Sequence, residues 1–168
     1  MLRPAAFLDR DGTLNIDKGY VHKIEEFEWI DGSVEAIKYL NEKNFYVFVI
    51  TNQSGIGRGH YTFKDLIKLH KYMNEDLGKM SACIDDFFYS PYHPDNVSDQ
   101  FDHLSNLRKP NTGMLELAFM KWKIDKNKSF MIGNMQHDIE CGERFGIKGY
   151  LFNQKTTSLF EMIQKIIY

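Results

Sequence analysis

The run Phe45-Tyr46-Val47-Phe48-Val49-Ile50 sets apolar side chains one after another with no polar interruption. A strand without a polar face belongs in the interior of a sheet that is covered on both sides, which is the situation of a parallel sheet. Shorter apolar runs at Ala5–Leu8, Phe130–Ile132 and Tyr150–Phe152, and the segment Ile84–Tyr89, read as the companion strands. Between them lie amphipathic stretches. Ser33 caps a predicted helix through Lys43, with Val34, Ile37 and Leu40 on one face. Thr62-x-x-Asp65 has the form of a capping box opening a helix to Leu77, with Phe63, Leu66, Ile67, His70 and Met73 at helical spacing. Met114–Trp122 and Asp138–Phe145 follow, the latter ended by Gly146, and a last amphipathic helix closes the chain. Strand–helix alternation of this kind predicts an α/β fold: a three-layer, Rossmann-like parallel sheet with helices on both faces.

At 168 residues, a single domain over residues 1–168 is expected. The net charge of −2 provides no basic field for nucleic acid, so an anionic ligand has to be captured locally. No stretch is apolar enough to span a bilayer, and Met1-Leu2-Arg3-Pro4 has none of the features of a leader. Cys83 and Cys141 are far apart and read as two buried thiols of a cytoplasmic protein. Met73, Met80, Met114, Met120 and Met131 read as core filling, and His70 as a packed histidine. A connection as long as Ile16–Ile30, rich in aromatic and charged residues, is expected to act as a flap over the site.

Polar motifs occur at successive strand ends, where ligands bind in open α/β sheets. After the first strand, Asp9-Arg10-Asp11-Gly12-Thr13 sets two carboxylates at i and i+2, on the same side if the chain stays extended. Such a pair is mutually repulsive and is eased by a divalent cation; one member can attack phosphorus while the other moves protons. After the second strand, Thr51-Asn52-Gln53-Ser54-Gly55-Ile56-Gly57-Arg58-Gly59 offers a hydroxyl, amides and backbone N–H groups for phosphate oxygens, with Arg58 as a fork for a second anion. Arg108-Lys109-Pro110 precedes the next helix, and Lys109 can neutralise charge developing beside Asp9. Gly133-Asn134-Met135-Gln136-His137-Asp138 ends the fourth strand.

This ordered set resembles the haloacid dehalogenase-like phosphohydrolases. Within them it is similar to the branch of heptose-bisphosphate and histidinol phosphatases, through Asp9–Asn15, Gly19-Tyr20-Val21-His22, Phe27, Ile30-Asp31-Gly32, Thr51–Gly59 and Arg108-Lys109-Pro110. The resemblance implies a capless fold and a Mg²⁺-dependent phosphatase that takes the 7-phosphate from D-glycero-D-manno-heptose 1,7-bisphosphate, feeding lipopolysaccharide or capsule synthesis. It implies that Asp9 is the nucleophile, that Asp11 is the general acid and then the base, and that Thr51 and Lys109 complete the catalytic set. Substrate contacts are implied at Thr13, Asn15, Tyr20, His22, Thr51, Asn52, Gln53, Arg58, Arg108 and Lys109. Metal ligands are implied at Asp9, Asp11 (through its carbonyl), Asn134 and Asp138. A monomer acting on a phosphorylated sugar, with no nucleic acid or membrane partner, completes the expectation.

Two departures from the family pattern matter. The branch carries a zinc loop with Cys-x-His and Cys-x-Cys, where this chain has Ser90-Pro91-Tyr92-His93 and Ser105-Asn106-Leu107. Without thiolates zinc is not expected, and His93, Asp95, Asp99, Asp102 and His103 read as polar loop residues. The family's metal-binding Asp after the fourth strand is Asn134, whose amide ligates without charge. A histidinol-phosphate or other small-metabolite phosphatase is the alternative enzyme. A catalytically impaired phosphosugar-binding protein is the alternative of another class.

Overall fold

The computed structural model describes residues 1–168. Its five strands, β1 (Ala5–Leu8), β2 (Tyr46–Asn52), β3 (Asp86–Ser90), β4 (Phe130–Gly133) and β5 (Lys148–Leu151), form one parallel sheet in the order β3-β2-β1-β4-β5. The helices are α1 (Ser33–Glu42), a single turn α2 (Ser54–Gly57), α3 (Phe63–Gly78), α4 (Gly113–Lys121), α5 (Gln136–Phe145) and α6 (Leu159–Ile166).

Alternation along the central strands sorts side chains between the two faces. Ala6 and Leu8 of β1 and Val47 and Val49 of β2 pack under α1, α3 and α6; Ala5, Phe7, Phe48 and Ile50 pack under α4 and α5. Every one of these strand residues is fully buried, as the unbroken apolar run requires. Each Leu, Ile or Phe so removed from water contributes roughly 1.5–3 kcal/mol before entropy is charged against it. The chain runs from β1 outward to β3, then crosses to β4 on the far side of β1. The strand order therefore reverses between β1 and β4, and the crevice beyond their carboxyl ends is where α/β sheets bind ligands.

Several expectations are corrected. The cap of α1 is Gly32, in the left-handed region at φ 81°; Ser33 is the first helical residue, and its hydroxyl donates to the Thr13 carbonyl. The stretch after β3, whose His93, Asp95, Asp99, Asp102 and His103 are expected as polar loop residues, contains 3-10 turns over Asp99–Leu107. Cys83 is exposed, so only Cys141 is a buried thiol. Met80 and Met120 are exposed as well, because each lies at or near a helix's C-terminal end rather than over the sheet. Met73, Met114, Met131 and His70 are buried as expected. The capping box of Thr62 and Asp65 is present in both directions.

Candidate active site

β1 ends at Leu8, and the chain then turns through Arg10–Asn15, with both Thr13 and Leu14 N–H groups donating to the Arg10 carbonyl. Asp9 is 7% exposed. Its Oδ1 accepts from Lys109 Nζ at 2.7 Å, and the same ammonium reaches Asp138 Oδ1 and the Ile50 carbonyl, each at 2.7 Å. Lys109 donates hydrogen bonds to Asp9 and to the Ile50 carbonyl, and Asp138 faces it as a second charge partner. Burial pushes the Asp9 carboxyl up to about 7 against the pull of Lys109, with the Asp138 and Asp11 charges adding to the push. Burial would discharge Lys109, but Asp9 and Asp138 outweigh it and raise its pKa.

Asp11 is held differently. Its Oδ1 accepts from Arg10 Nη2 at 2.9 Å and Asn15 Nδ2 at 3.0 Å, and its Oδ2 from Gln53 Nε2 at 2.9 Å. Gln53 Nε2 also donates to Thr51 Oγ1 at 2.9 Å. Thr51 ends the buried part of β2 and turns its hydroxyl to the same crevice.

The site closes at the end of β4. One terminal atom of the Asn134 carboxamide lies 3.2 Å from Asp9 Oδ2 and 3.3 Å from the Asp11 carbonyl oxygen. With nitrogen in that position, the amide donates to both. With oxygen there, three oxygens converge, an arrangement that a cation relieves; neutral and anionic oxygens are the ligands Mg²⁺ prefers. Gly12 (φ 83°) makes the arrangement possible, since a Cβ on it would come within 2.3 Å of the Asn134 amide.

Other expected residues fall elsewhere. Asp138, implied as a metal ligand, lies with Oδ1 2.7 Å from Lys109 Nζ, and its Oδ2 accepts from the Met135 N–H at the start of α5. Thr13 and Asn15 expose no surface, and Asn15 supports Asp11 rather than facing a ligand. Asn52, expected on the phosphoryl group, uses its carboxamide on the Lys109 backbone, donating to the carbonyl at 3.2 Å and accepting from the N–H at 2.9 Å. It fixes the turn that delivers the lysine. Gln53, 2% exposed, likewise faces Asp11 and Thr51 instead of a substrate.

The rim is formed by the long connection and the glycine-rich loop. Residues 14–16 and 28–30 pair through Ile16 N to Glu28 O and Ile30 N to Leu14 O, so Ile16–Ile30 is a two-armed excursion beside the site. From it Tyr20 meets Arg58, whose Nη1 donates to the phenol oxygen at 2.8 Å, and His22 stacks on Tyr61. Arg108 donates to the Tyr92 carbonyl at 3.3 Å. Burial, then the Arg108 and Arg58 charges, lower the pKa of His93. His93, Asp95, Asp99, Asp102 and His103 form no cluster of three metal-ligating side chains; Asn96 instead accepts from the His93 N–H and donates to Asp102. Arg10 and Tyr61 are the members of the site that sequence reasoning missed.

A buried Asp–Lys pair, a second carboxylate two residues on, a strand-end hydroxyl and an oxygen cluster at the β1/β4 switch point define a haloacid dehalogenase-like phosphohydrolase. The polynucleotide kinase 3 phosphatase family model matches residues 4–146. D-glycero-β-D-manno-heptose-1,7-bisphosphate 7-phosphatase of Rhodopseudomonas palustris is 39% identical over 158 residues, 94% of this chain and 88% of the relative. The enzyme of that name from Escherichia coli K12 is 41% identical over 138 residues, 82% of this chain and 72% of the relative. Among solved structures, D,D-heptose 1,7-bisphosphate phosphatase from B. bronchiseptica, complexed with magnesium and phosphate, superposes with a TM-score of 0.82 at 25% identity, covering 98% of both chains. The chain belongs to the family of heptose-1,7-bisphosphate 7-phosphatases.

Proposed function

We propose that this chain is a phosphoric monoester hydrolase that removes the 7-phosphate of D-glycero-D-manno-heptose 1,7-bisphosphate, acting as a cytoplasmic monomer built as one unit over residues 1–168. The observation that carries the chemistry is the pairing of Asp9 with Lys109 at 2.7 Å beside a separately held Asp11. The relatives' names supply the substrate. No helix is long and apolar enough to cross a membrane, which agrees with action on a dissolved sugar.

Asp9 attacks phosphorus, forming its own P–O bond as the bond to the sugar oxygen breaks; Asp11 gives its proton to that oxygen. Water, its proton taken by Asp11, then attacks the phospho-Asp9 and releases phosphate. Lys109 and Thr51 hold the equatorial oxygens during both transfers. Mg²⁺ would be held by Asp9, the Asp11 carbonyl and Asn134, and would neutralise charge on the phosphoryl oxygens. Arg58 and Arg108 hold the phosphate that is not cleaved, and Tyr20 and His22 wall the sugar.

The test is phosphate release with Mg²⁺ from heptose 1,7-bisphosphate, histidinol phosphate and a 3′-phosphorylated oligonucleotide. The heptose ester is expected to give the highest kcat/KM. Preference for either of the others would overturn the substrate, and binding of the heptose ester without any release would make the chain a phosphosugar-binding protein.

A further inference from the structure

Behind Asp11 lies a buried contact that the mechanism above does not use. The Gln53 side chain spends its nitrogen on Asp11 Oδ2 and Thr51 Oγ1, each at 2.9 Å, and its Oε1 accepts from the Tyr61 hydroxyl. A carboxamide has nearly the same shape either way round. Reversed, its oxygen would face the Asp11 carboxylate, and the bond to the acid–base group would become a repulsion. A phenol can donate or accept, so the acceptor-only Asp11 carboxylate turns the Gln53 nitrogen toward the site, and the Tyr61 hydroxyl, donating to Oε1, anchors the far end of the side chain in that orientation.

The ring carrying that hydroxyl is itself fixed. Tyr61 is 7% exposed and lies against Gly55, where a Cβ would come within 2.1 Å of the ring. On another side it stacks on His22 with centroids 4.7 Å apart and planes 5° from parallel. Burial raises the phenol pKa, so the hydroxyl keeps its proton throughout the working range. The ring is held by packing and the hydroxyl is free to serve Gln53; removal of the hydroxyl alone leaves the packing intact.

We infer that Tyr61, acting through Gln53, is a positioning residue that aligns the proton-transfer carboxylate Asp11 with the phosphoryl-binding hydroxyl Thr51. The inference deepens the proposed function and rests on the role given there to Asp11. It assigns Gln53 to alignment, and it links the long Ile16–Ile30 excursion to the reacting atoms through His22 and Tyr61.

The experiment compares Tyr61→Phe with wild type on two esters in Mg²⁺: the heptose bisphosphate, whose alkoxide must receive a proton, and p-nitrophenyl phosphate, whose phenolate leaves without one. A loosened Asp11 should lower kcat/KM roughly tenfold on the sugar ester and less than about threefold on the aryl ester, with Gln53→Leu giving the same discrimination and a larger fall. Equal falls on both esters would mark Tyr61 as merely structural, and no fall on either would show that its hydroxyl is dispensable; each overturns the inference. The Gln53 side-chain 15N amide signals, read in wild type and Tyr61→Phe, must also shift. Unchanged signals refute the clamp even if wild type hydrolyses neither ester, a result that would itself sink the role proposed for Asp11.

Discussion

The surroundings of Asp9 and of Asp11 differ more than their separation of two residues would suggest. Asp9 meets one ammonium on Oδ1 and only the Asn134 carboxamide on Oδ2, with its side chain 10% exposed. Asp11 is gripped on both oxygens by donors from Arg10, Asn15 and Gln53, and its side chain keeps 22% of its surface exposed. A nucleophile needs a lone pair that is free and poorly hydrated, with charge nearby to accept what develops on phosphorus. A group that gives and then takes a proton needs a fixed direction and access to water. The protein separates these demands by neighbours, using the same side-chain type twice.

That division is broken most directly at Asp9. Asp9→Asn keeps the shape but cannot attack phosphorus, so turnover should fall by more than about a thousandfold. Undiminished phosphate release would remove the mechanism altogether. Asp11→Asn should behave otherwise. With p-nitrophenyl phosphate it should release close to one equivalent of phenolate in a stopped-flow burst and then stall as a phosphorylated protein, detectable by intact mass. Steady turnover of the heptose ester by that variant at the wild-type rate would show that Asp11 moves no proton.

Much of the Asp9 side was legible in the sequence, and much of the Asp11 side was not. Asp9, Thr51 and Lys109 stand directly beyond buried strands or in a recognisable motif, where order along the chain predicts position in the crevice. The grip on Asp11 depends on Arg10 and Tyr61, which look in sequence like a solvated arginine and one more aromatic; their roles come from packing between segments distant in the chain. Asp138 is a related case: spacing marks an acid near the crevice, and only the tertiary structure shows that one of its oxygens faces Lys109 and the other the start of α5. Strands were found wherever apolar residues were continuous. The edge strand β5 begins at Lys148 and Gly149, ahead of the predicted Tyr150, because a partly exposed edge does not demand apolar residues. The Asp99–Leu107 turns follow no period that could have been seen.

A smaller effect sharpens the Asp9 side. In the proposed metal site Asn134 would give the cation oxygen without charge, so Asn134→Asp should lower the half-saturating Mg²⁺ concentration roughly ten- to a hundredfold, and Asn134→Ala should raise it. The same carboxylate, 3.2 Å from Asp9 Oδ2, should make the metal-free protein less stable in EDTA by thermal melting and enlarge the stabilisation on adding Mg²⁺. An unchanged metal requirement in Asn134→Asp would place position 134 outside the ligand set.

The smallest effect belongs to the Asp11 side and runs through Arg10. Its fully buried guanidinium holds Asp11 and the Val21 carbonyl through Nη2, while Nη1 donates to His70 Nε2 at 3.4 Å. Arginine cannot accept a hydrogen bond, so that ring nitrogen must be unprotonated. Burial, with the neighbouring Arg10 charge, holds the pKa of His70 well below 6.5. The unfolded chain gains the proton at about 6.5 while the folded chain resists it. The stability contributed by neutral His70 is therefore complete above that pH and is lost as pH falls from there toward the folded value. Unfolding free energies from urea titrations between pH 7.5 and 5 should decline in wild type by at most about 1.4 kcal/mol per pH unit more than in His70→Gln, which keeps an acceptor for Arg10 but does not titrate. Parallel declines would show that the acid sensitivity arises elsewhere. A steeper wild-type decline would trace the acid sensitivity to neutral His70, buried beside the Arg10 that anchors one side of Asp11.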